Sequence, residues 1–289
     1  MIGWWTFDDK FGHDYSPNTN PMINVLKSGP AMNSQGSSLI CDGESYGLIP
    51  HSSSYDVNEL SVVFWVFLTQ DSTGDWRSIF HKGSTSQELT PTVLLWPKER
   101  RLHVRASTQF SWNEGLDSVA ILRLRRWYMI TIVGSGQLLQ LYLNGLLDSQ
   151  VILRGPLKFN RGDIYIGKDP WHSGFKGYFD DLRLYNKPLH EKDLLPLALP
   201  AVPITFVSGV MLGCQLCNYD LALSACLDNF HMCSLEELYA GAFEMARSMG
   251  WFRFTAEVWT RNTDDQDTTT SDEMQDPDLF KLGLCCRDY

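Results

Sequence analysis

The chain has 289 residues, of which 44% are hydrophobic and 20% charged, so it is long enough for two domains and apolar enough to bury a core. Its net charge is −10, and residues 200–289 contribute −9 of that charge, with 14 acidic and 5 basic residues. Such an acidic surface does not favour nucleic acid or anionic membranes, because proteins bind both through lysine and arginine.

The first two thirds of the chain read as short strands separated by turns. Residues 61–68 are apolar on both faces and rich in β-branched and aromatic side chains, which predicts a central strand covered on each side. Residues 108–118 are expected to form a loop. After an alternating run at 138–143, Asn144 and Gly145 predict a hairpin turn, because both residues tolerate positive φ. Many short strands without a long helix predict a two-sheet β-sandwich.

Several short motifs, taken in order, resemble the laminin G-like family of the concanavalin A-like lectin and glucanase superfamily. They are WWTFDD at residues 4–9, LICDG at 39–43, VFWV at 63–66, RWY at 126–128, LYLNG at 141–145 and FDDLRLY at 179–185. The resemblance covers residues 1–198. It implies a mainly β jelly-roll sandwich, and a module that binds its ligand rather than transforming it.

An uncharged stretch follows the predicted sandwich. Residues 194–213 contain no charged side chain, and twenty such residues could form a transmembrane helix. Pro196, Pro200 and Pro203 argue against that reading, because each would remove a helical hydrogen bond. We therefore predict a sandwich at residues 1–198, an extended apolar connector at 199–212 and a second domain at 213–289.

The second domain is rich in cysteine. Its six cysteines are Cys214, Cys217, Cys226, Cys233, Cys285 and Cys286. Six cysteines in so short a unit indicate the disulfide framework of a small secreted domain, although the sequence leaves their pairing open. The alternative is a zinc site in which Cys214 and Cys217 act with Cys226, Cys233 or His231.

The same domain also carries a helix signal. Ser234 and Glu237 have the spacing of a capping box, and apolar residues then recur at helical spacing as far as Gly250. Residues 251–260 read as a strand, and residues 262–278 as a polar, acidic loop. These elements predict a small disulfide-stapled α+β module.

The location of the protein follows from its cysteines. Disulfides persist in oxidising compartments, which predicts a protein that is extracellular, at the cell surface or in the lumen of the secretory pathway. Residues 1–5 lack the basic and apolar regions of a signal peptide, so we expect the chain to be a fragment of a larger protein.

Motifs that would carry catalysis are missing from the sequence. Some relatives of this fold cleave glycans with carboxylates on one face of a strand, spaced as Glu-x-Asp-x-x-Glu, and this run does not occur here. Asp180 and Asp181 are adjacent and therefore predicted to point to opposite faces of a strand. We expect a protein that is not an enzyme.

A calcium site is one reading of a loop near the N-terminus. Asp14, Ser16 and Asn18 place oxygen atoms at alternating positions, as in loops that wrap calcium. Laminin G-like modules often hold a structural calcium ion, and by that resemblance the site could be completed by Asp42, Asp180 or Asp181. The alternative is an ordinary turn, which favours the same residue types.

Candidate ligand contacts are the aromatic residues of predicted loops and strand ends. Trp76, Trp112 and Trp171, with His172 beside the last, could stack on sugar rings or anchor a protein partner. Local core packing is the alternative for each of them.

The leading hypothesis is a recognition or adhesion module for a glycan or a cell-surface protein. The alternatives are a structural subunit of a larger extracellular or membrane-associated assembly and, third, a glycan hydrolase.

Overall fold

The computed structural model describes residues 1–8, 12–32, 36–198, 209–249, 251, 257–261 and 279–288. The chain divides into two compact units, one of Met1–Gly29 and Ser37–Pro200 and the other of Pro30–Gly36 and Ala201–Tyr289. The first unit is a β-sandwich and the second a small α+β unit with three disulfides. The predicted fold class is confirmed.

The sandwich consists of one eight-stranded and one seven-stranded sheet. Its strands are β1 (Gly3–Trp5), β2 (Ser28–Pro30), β3 (Ser37–Asp42), β4 (Gly47–Ile49), β5 (Glu59–Leu68), β6 (Arg77–Lys82), β7 (Thr92–Leu95), β8 (Arg101–Ala106), β9 (Glu114–Ile121), β10 (Trp127–Ser135), β11 (Leu138–Leu143), β12 (Leu146–Ile152), β13 (Ile164–Ile166), β14 (Ser173–Gly174) and β15 (Lys176–Tyr185). A 3₁₀ turn, Ser53–Tyr55, precedes β5.

The strand order places β5 and β6 well inside their sheets. The larger sheet runs β12-β11-β10-β5-β15-β3-β2, with β1 paired to β15. The smaller sheet runs β4-β13-β6-β7-β8-β9, with β14 paired to β6. The predicted central strand is confirmed, because β5 lies between β10 and β15 and is buried on both faces.

The core of the sandwich lies between the two sheets. Phe64 of β5 stacks on Phe80 of β6, with ring centroids 5.7 Å apart, and on Phe179 of β15, at 4.9 Å. Alternate residues of each strand supply the rest of this core, as expected when sheets pack face to face. The residues between them point outward, and on the seven-stranded sheet they form the candidate site.

Part of the predicted loop at residues 108–118 is a strand. The prediction was wrong for residues 114–118, which belong to β9 and pair with β8. Leu116 and Ser118 face the core, while Asp117 faces outward, so the polar half of the alternation resembled a loop. The predicted hairpin turn is confirmed, with φ of 51° at Asn144 and 83° at Gly145 between β11 and β12.

A short helix ends the segment predicted as sandwich, directly before the predicted connector at 199–212. Helix α1 spans Glu191–Ala198 and buries Leu194, and Pro196 lies within it. The backbone N–H of His190 donates to the Asp193 carboxylate at the start of this short helix, which favours helix formation locally. Residues 199–208 lie outside the described residues. No helix in the described ranges has the length and apolarity needed to cross a membrane.

The second unit is built on a three-stranded sheet of order β16-β18-β17. Its elements are β16 (Val210–Cys217), α2 (Tyr219–Ser224), β17 (Phe230–Met232), α3 (Leu235–Glu237), a π-helical turn (Leu238–Ala242), α4 (Phe243–Ser248) and β18 (Lys281–Arg287). Residues 210–212, predicted as connector, pair with β18 because Val210 fits the apolar core of this unit.

The predicted capping box is confirmed. The Ser234 hydroxyl accepts a hydrogen bond from the backbone N–H of Glu237, and the Glu237 carboxylate accepts one from the backbone N–H of Ser234. The helix that follows is interrupted at Gly241, whose φ is 142°. Of the predicted strand at 251–260, residues 252–256 lie outside the described residues, and Val258 forms only an isolated bridge. The predicted acidic loop at 262–278 also lies outside them.

All six cysteines of the second unit form disulfides. The pairs are Cys214–Cys217, Cys226–Cys285 and Cys233–Cys286. The prediction of a disulfide framework is therefore confirmed, and the zinc alternative for these cysteines is wrong because each sulfur is already bonded to another. The adjacent Cys285 and Cys286 tie β18 to two different segments.

Candidate functional site

The outward face of the seven-stranded sheet carries histidine, arginine, aspartate and tryptophan. On β8 the core residues Leu102 and Val104 alternate with His103 and Arg105, which therefore point outward. Asp117 of β9 lies directly opposite His103 in the register of the two strands. The pairing of β8 with β9 thus brings a base and an acid together on one open surface.

The first cluster on this face surrounds His103. Its ring packs against two tryptophans that also contact each other: the ring centroids are 4.5 Å apart for His103 and Trp76, 5.6 Å for His103 and Trp96, and 5.1 Å for the two indoles. Nδ1 of His103 lies 2.7 Å from Oδ1 of Asp117, and Arg105 forms an ion pair with the same oxygen at 3.2 Å. These contacts hold His103 in one orientation.

The protonation state of His103 follows from its surroundings. Burial and the charge of Arg105 lower its pKa to about 4, although the hydrogen bond to Asp117 opposes this. At neutral pH the imidazole is therefore neutral. Because Asp117 is an acceptor, Nδ1 carries the proton and Nε2 presents a lone pair.

The second cluster is built on Asp169, which is completely buried. Its Oδ1 accepts hydrogen bonds of 2.8 Å from the backbone N–H groups of Trp171 and His172. Nδ1 of His172 lies 3.0 Å from both carboxylate oxygens. Nδ1 of His81 lies 3.7 Å from Oδ2 and 2.9 Å from the hydroxyl of Thr92. The Asp169 carboxylate thus fixes the backbone at Trp171 and His172 and the ring of His172.

Charge balance in this cluster favours an ionised aspartate and a neutral His81. Burial alone would raise the pKa of Asp169, but the His172 hydrogen bond and the nearby imidazoles outweigh it and the pKa lies below its usual value. Burial lowers the pKa of His81 to about 4, against the opposing charge of Asp169. The imidazole of His81 is therefore neutral at physiological pH and lies buried beneath the surface.

An aromatic layer covers the second cluster. The indole of Trp171 packs over His81, with ring centroids 4.8 Å apart, and edge-on against Tyr165 at 5.9 Å. Tyr165 in turn contacts Tyr46 at 5.4 Å. Trp171 is nevertheless 38% exposed. We call Trp76, Trp96, His103, Trp171 and His172, with the carboxylates of Asp117 and Asp169 that hold the histidines, the aromatic–histidine surface.

Three of the four predicted ligand contacts lie on this surface, namely Trp76, Trp171 and His172. Trp112 does not: it lies in the loop between β8 and β9, 46% exposed, and makes no ring contact with another described aromatic residue. The sequence does not single out His103, because its partnership with Asp117 depends on the pairing of β8 with β9, and residues 114–118 of β9 are predicted as loop. Alternation along residues 101–106 was the signal that could have found it.

The predicted calcium ligands near the N-terminus serve as turn residues. Both oxygens of the buried Asp14 accept hydrogen bonds, from the backbone N–H groups of Trp4, Ser16 and Asn20 and from the hydroxyl of Ser16. The amide of Asn18 donates to the carbonyl of Ile2. The loop therefore has a structural role whether or not a cation binds there.

The other predicted metal ligands lie in separate surroundings. Asp42 accepts hydrogen bonds from Glu44 and Ser45 within its own turn. Asp181 pairs with Arg183 and accepts from the indole of Trp4, and Asp180 accepts from the backbone of Asp181. Over the described ranges, no three His, Cys, Asp or Glu residues are grouped so as to hold a metal ion. The calcium site stays a prediction.

The family comparisons agree with the two units. A family model described as the concanavalin A-like lectin/glucanases superfamily matches residues 42–194. A domain of unknown function, DUF8019, matches residues 207–289. No curated protein matches the chain significantly.

Solved structures share the fold of the sandwich at low identity. Domain 4 of AbnA, an extracellular arabinanase from Geobacillus stearothermophilus in complex with arabinotriose, is 18% identical, with a TM-score of 0.54 over 68% of this chain and 98% of that one. The binding domain of botulinum neurotoxin serotype D/C is 14% identical, with a TM-score of 0.54, and that of Paraclostridial Mosquitocidal Protein 1 is 17% identical, with a TM-score of 0.51. In both comparisons the matched region covers 68% of this chain and 51% of the toxin chain.

Proposed function

Because this chain belongs to the concanavalin A-like lectin/glucanases superfamily, we propose that it is a non-catalytic recognition module that binds a glycan through the aromatic–histidine surface. The observation that carries this proposal is the pairing of partly exposed indoles with histidines fixed by carboxylates. Indole faces stack on the apolar faces of sugar rings, and fixed lone pairs accept hydrogen bonds from sugar hydroxyls.

The geometry supports binding in preference to hydrolysis. A glycosidase needs one carboxylate as acid and a second as base or nucleophile. On this surface Asp169 is buried beneath His172, and Asp117 is shared by His103 and Arg105. Both carboxylates are thus engaged in orienting their neighbours.

The neighbouring structures lend support of the same kind. The arabinanase domain is described in complex with arabinotriose, and the two toxin domains are described as binding domains. We extend to this chain only the general role, recognition of a glycan or of a glycosylated partner. Its three disulfides fit an extracellular or secretory location for that role.

Glycan-array binding of the whole chain, in calcium and in EDTA, tests the proposal. We expect Trp171→Ala and Trp76→Ala each to weaken binding of the best glycan about tenfold, because each removes a stacking face. Trp112→Ala is the matched control, since it removes an exposed indole from another loop. Equal losses in all three variants, or no glycan bound by the parent chain, would reject the proposal. Glycan binding that disappears in EDTA would indicate that binding also requires a calcium site.

A further inference from the structure

A second surface, at the edge where the two sheets meet, combines exposed aliphatic side chains with arginines. Strands β9 and β12 lie side by side there. The Asp148 carboxylate of β12 accepts hydrogen bonds from the backbone N–H groups of Val119 and Ala120, and the hydroxyl of Ser149 donates to the carbonyl of Asp117. These contacts join two edge strands into a continuous seam.

The seam exposes four large aliphatic residues. Val119 and Ile121 of β9 and Leu146 and Leu147 of β12 are between 44% and 72% exposed. Asp148 contacts residues 119 and 120 and Ser149 contacts residue 117, so the strands run antiparallel and the backbone at Leu147 comes near that at Ile121. Clustered exposed aliphatic side chains mark interaction sites more often than isolated ones do.

Three arginines follow directly in the chain. Arg123 and Arg126 are exposed and Arg125 is half-buried in the loop that leads from β9 to β10. The hydroxyl of Tyr128 in β10 accepts a hydrogen bond from the backbone N–H of Arg123, which closes this loop two residues after Ile121 of the seam. None of the three guanidinium groups forms an ion pair or hydrogen bond with a described residue.

The carboxylates of the adjoining strands leave a net positive charge beside the seam. Strands β9 to β12 contain three acidic residues. Glu114 pairs with Arg154 and Asp117 with His103, whereas Asp148 lies in the seam itself, so one carboxylate stands against three arginines. We call Val119, Ile121, Arg123, Arg126, Leu146 and Leu147 the basic–apolar edge.

We propose that the basic–apolar edge docks the sandwich onto a lipid membrane that contains anionic phospholipids. Aliphatic side chains can insert among acyl chains while neighbouring arginines contact the headgroup phosphates. Aliphatic residues offer no flat aromatic face to a sugar, so a sulfated polysaccharide would use the arginines and gain nothing from the four apolar residues. The pattern of both residue types side by side therefore favours lipid.

The acidic charge of the whole chain does not prevent this contact. Almost all of the excess negative charge belongs to residues 200–289, whereas residues 1–199 are nearly neutral. At physiological ionic strength, charges are screened beyond roughly 8 Å, so the local arginines govern the approach of this edge to a surface. The inference is independent of glycan binding.

Co-sedimentation of the full chain with vesicles, in EDTA, tests the proposal. We expect binding to phosphatidylcholine mixed with phosphatidylserine, weaker binding in high salt, and little binding to phosphatidylcholine alone. Arg123→Gln with Arg126→Gln should lower the partition coefficient about 25-fold, from about fivefold for each arginine. Ile121→Ser with Leu147→Ser should also lower it while leaving its salt dependence unchanged.

Matched variants separate this surface from other charges and from the glycan site. Arg154→Gln with Arg161→Gln removes two exposed arginines elsewhere and should leave vesicle binding unchanged. Trp171→Ala should do the same. Failure of the mixed vesicles to bind, equal binding to both vesicle types, or an equal loss in the control pair overturns the proposal. Binding of heparin without binding of vesicles overturns it in favour of a polyanionic glycan.

Discussion

The imidazole of His172 is held by both oxygens of the buried Asp169 carboxylate, each 3.0 Å from Nδ1. The same carboxylate accepts the backbone N–H groups of Trp171 and His172, so one side chain fixes the loop and the ring together. With Nδ1 as donor, Nε2 of His172 is left as a hydrogen-bond acceptor. Asp117 likewise accepts from Nδ1 of His103 on β8, two strands from β6 in the sheet.

Replacing Asp169 tests this relationship. In Asp169→Asn an oxygen can still accept the backbone hydrogen bonds, but the amide group opposes the Nδ1 proton and the charge is lost. We expect about 2 kcal/mol less stability, as for a disturbed buried hydrogen bond to a charged group. Urea unfolding measures the loss, and the nitrogen chemical shifts of His172 report its tautomer. Unchanged shifts and stability would contradict the assigned role.

The stability of the sandwich should fall in mild acid. The pKa of His81 is lowered to about 4 by burial, whereas in the unfolded chain it takes its ordinary value near 6.5. Between these values the unfolded state binds more protons, so the stability that neutral His81 contributes is complete above about pH 6.5 and is lost as pH falls through about 4. The loss is on the order of 3 kcal/mol.

The effect can be assigned with a single variant. His81→Gln cannot titrate, so its unfolding free energy should depend less on pH between about 4 and 6.5 than that of the parent chain. His103 has a similarly lowered pKa and will supply part of the remaining slope. A slope identical to that of the parent would show that His81 does not carry the effect.

The sandwich could be predicted from sequence because its signals are local. The doubly apolar run of β5 and the Asn144-Gly145 turn each determine one element without information from elsewhere. The site could be predicted only in part, because His103 and Asp117 become neighbours through strand register. Aspartate is an ordinary turn residue, so the local sequence does not mark Asp169 as buried. Its burial depends on the pairing of β14 with β6, which no local pattern reveals.

The variant Asp14→Ala tests whether the Asp14 carboxylate has a structural role or binds calcium. Asp14→Ala removes four hydrogen-bond acceptor contacts from a buried site, and we expect it to cost about 2–4 kcal/mol in calcium and in EDTA alike. Thermal unfolding in both buffers measures it. A parent chain stabilised by calcium, with the increment lost in Asp14→Ala, would instead indicate that these oxygens bind the ion.

His231 in the second unit should titrate in the opposite sense to His81. Its Nε2 lies 3.0 Å from both oxygens of Glu237, and its Nδ1 lies 2.7 Å from Asp288. Hydrogen bonds to Glu237 first, and then to Asp288, raise its pKa although burial opposes them. The ion pairs are therefore complete below about pH 6.5 and are lost as pH rises through the raised pKa.

Proton NMR titration of His231 checks this order of effects. Glu237→Gln should lower the pKa of His231 more than Asp288→Asn does, because Glu237 is the stronger and less exposed partner. An equal pKa in parent and Glu237→Gln would contradict the assignment.

The three disulfides should contribute unequally to the second unit. Cys226–Cys285 spans 59 residues and Cys214–Cys217 only three, so the first restricts the unfolded chain far more. Loop-closure entropy predicts a cost of about 4 kcal/mol for removing the long-range bond and about 2 kcal/mol for the short one. The paired variants are Cys226→Ser with Cys285→Ser, and Cys214→Ser with Cys217→Ser.

Hydrogen exchange in β16 and β18 is the suitable measurement, because it reports on this unit within the intact chain. Protection should fall strongly in the Cys226/Cys285 variant and modestly in the Cys214/Cys217 variant, with β5 and β10 unaffected in both. The short-range pair lies in β16 itself, so a larger effect there would mean that local geometry, rather than chain entropy, governs the stability of the module.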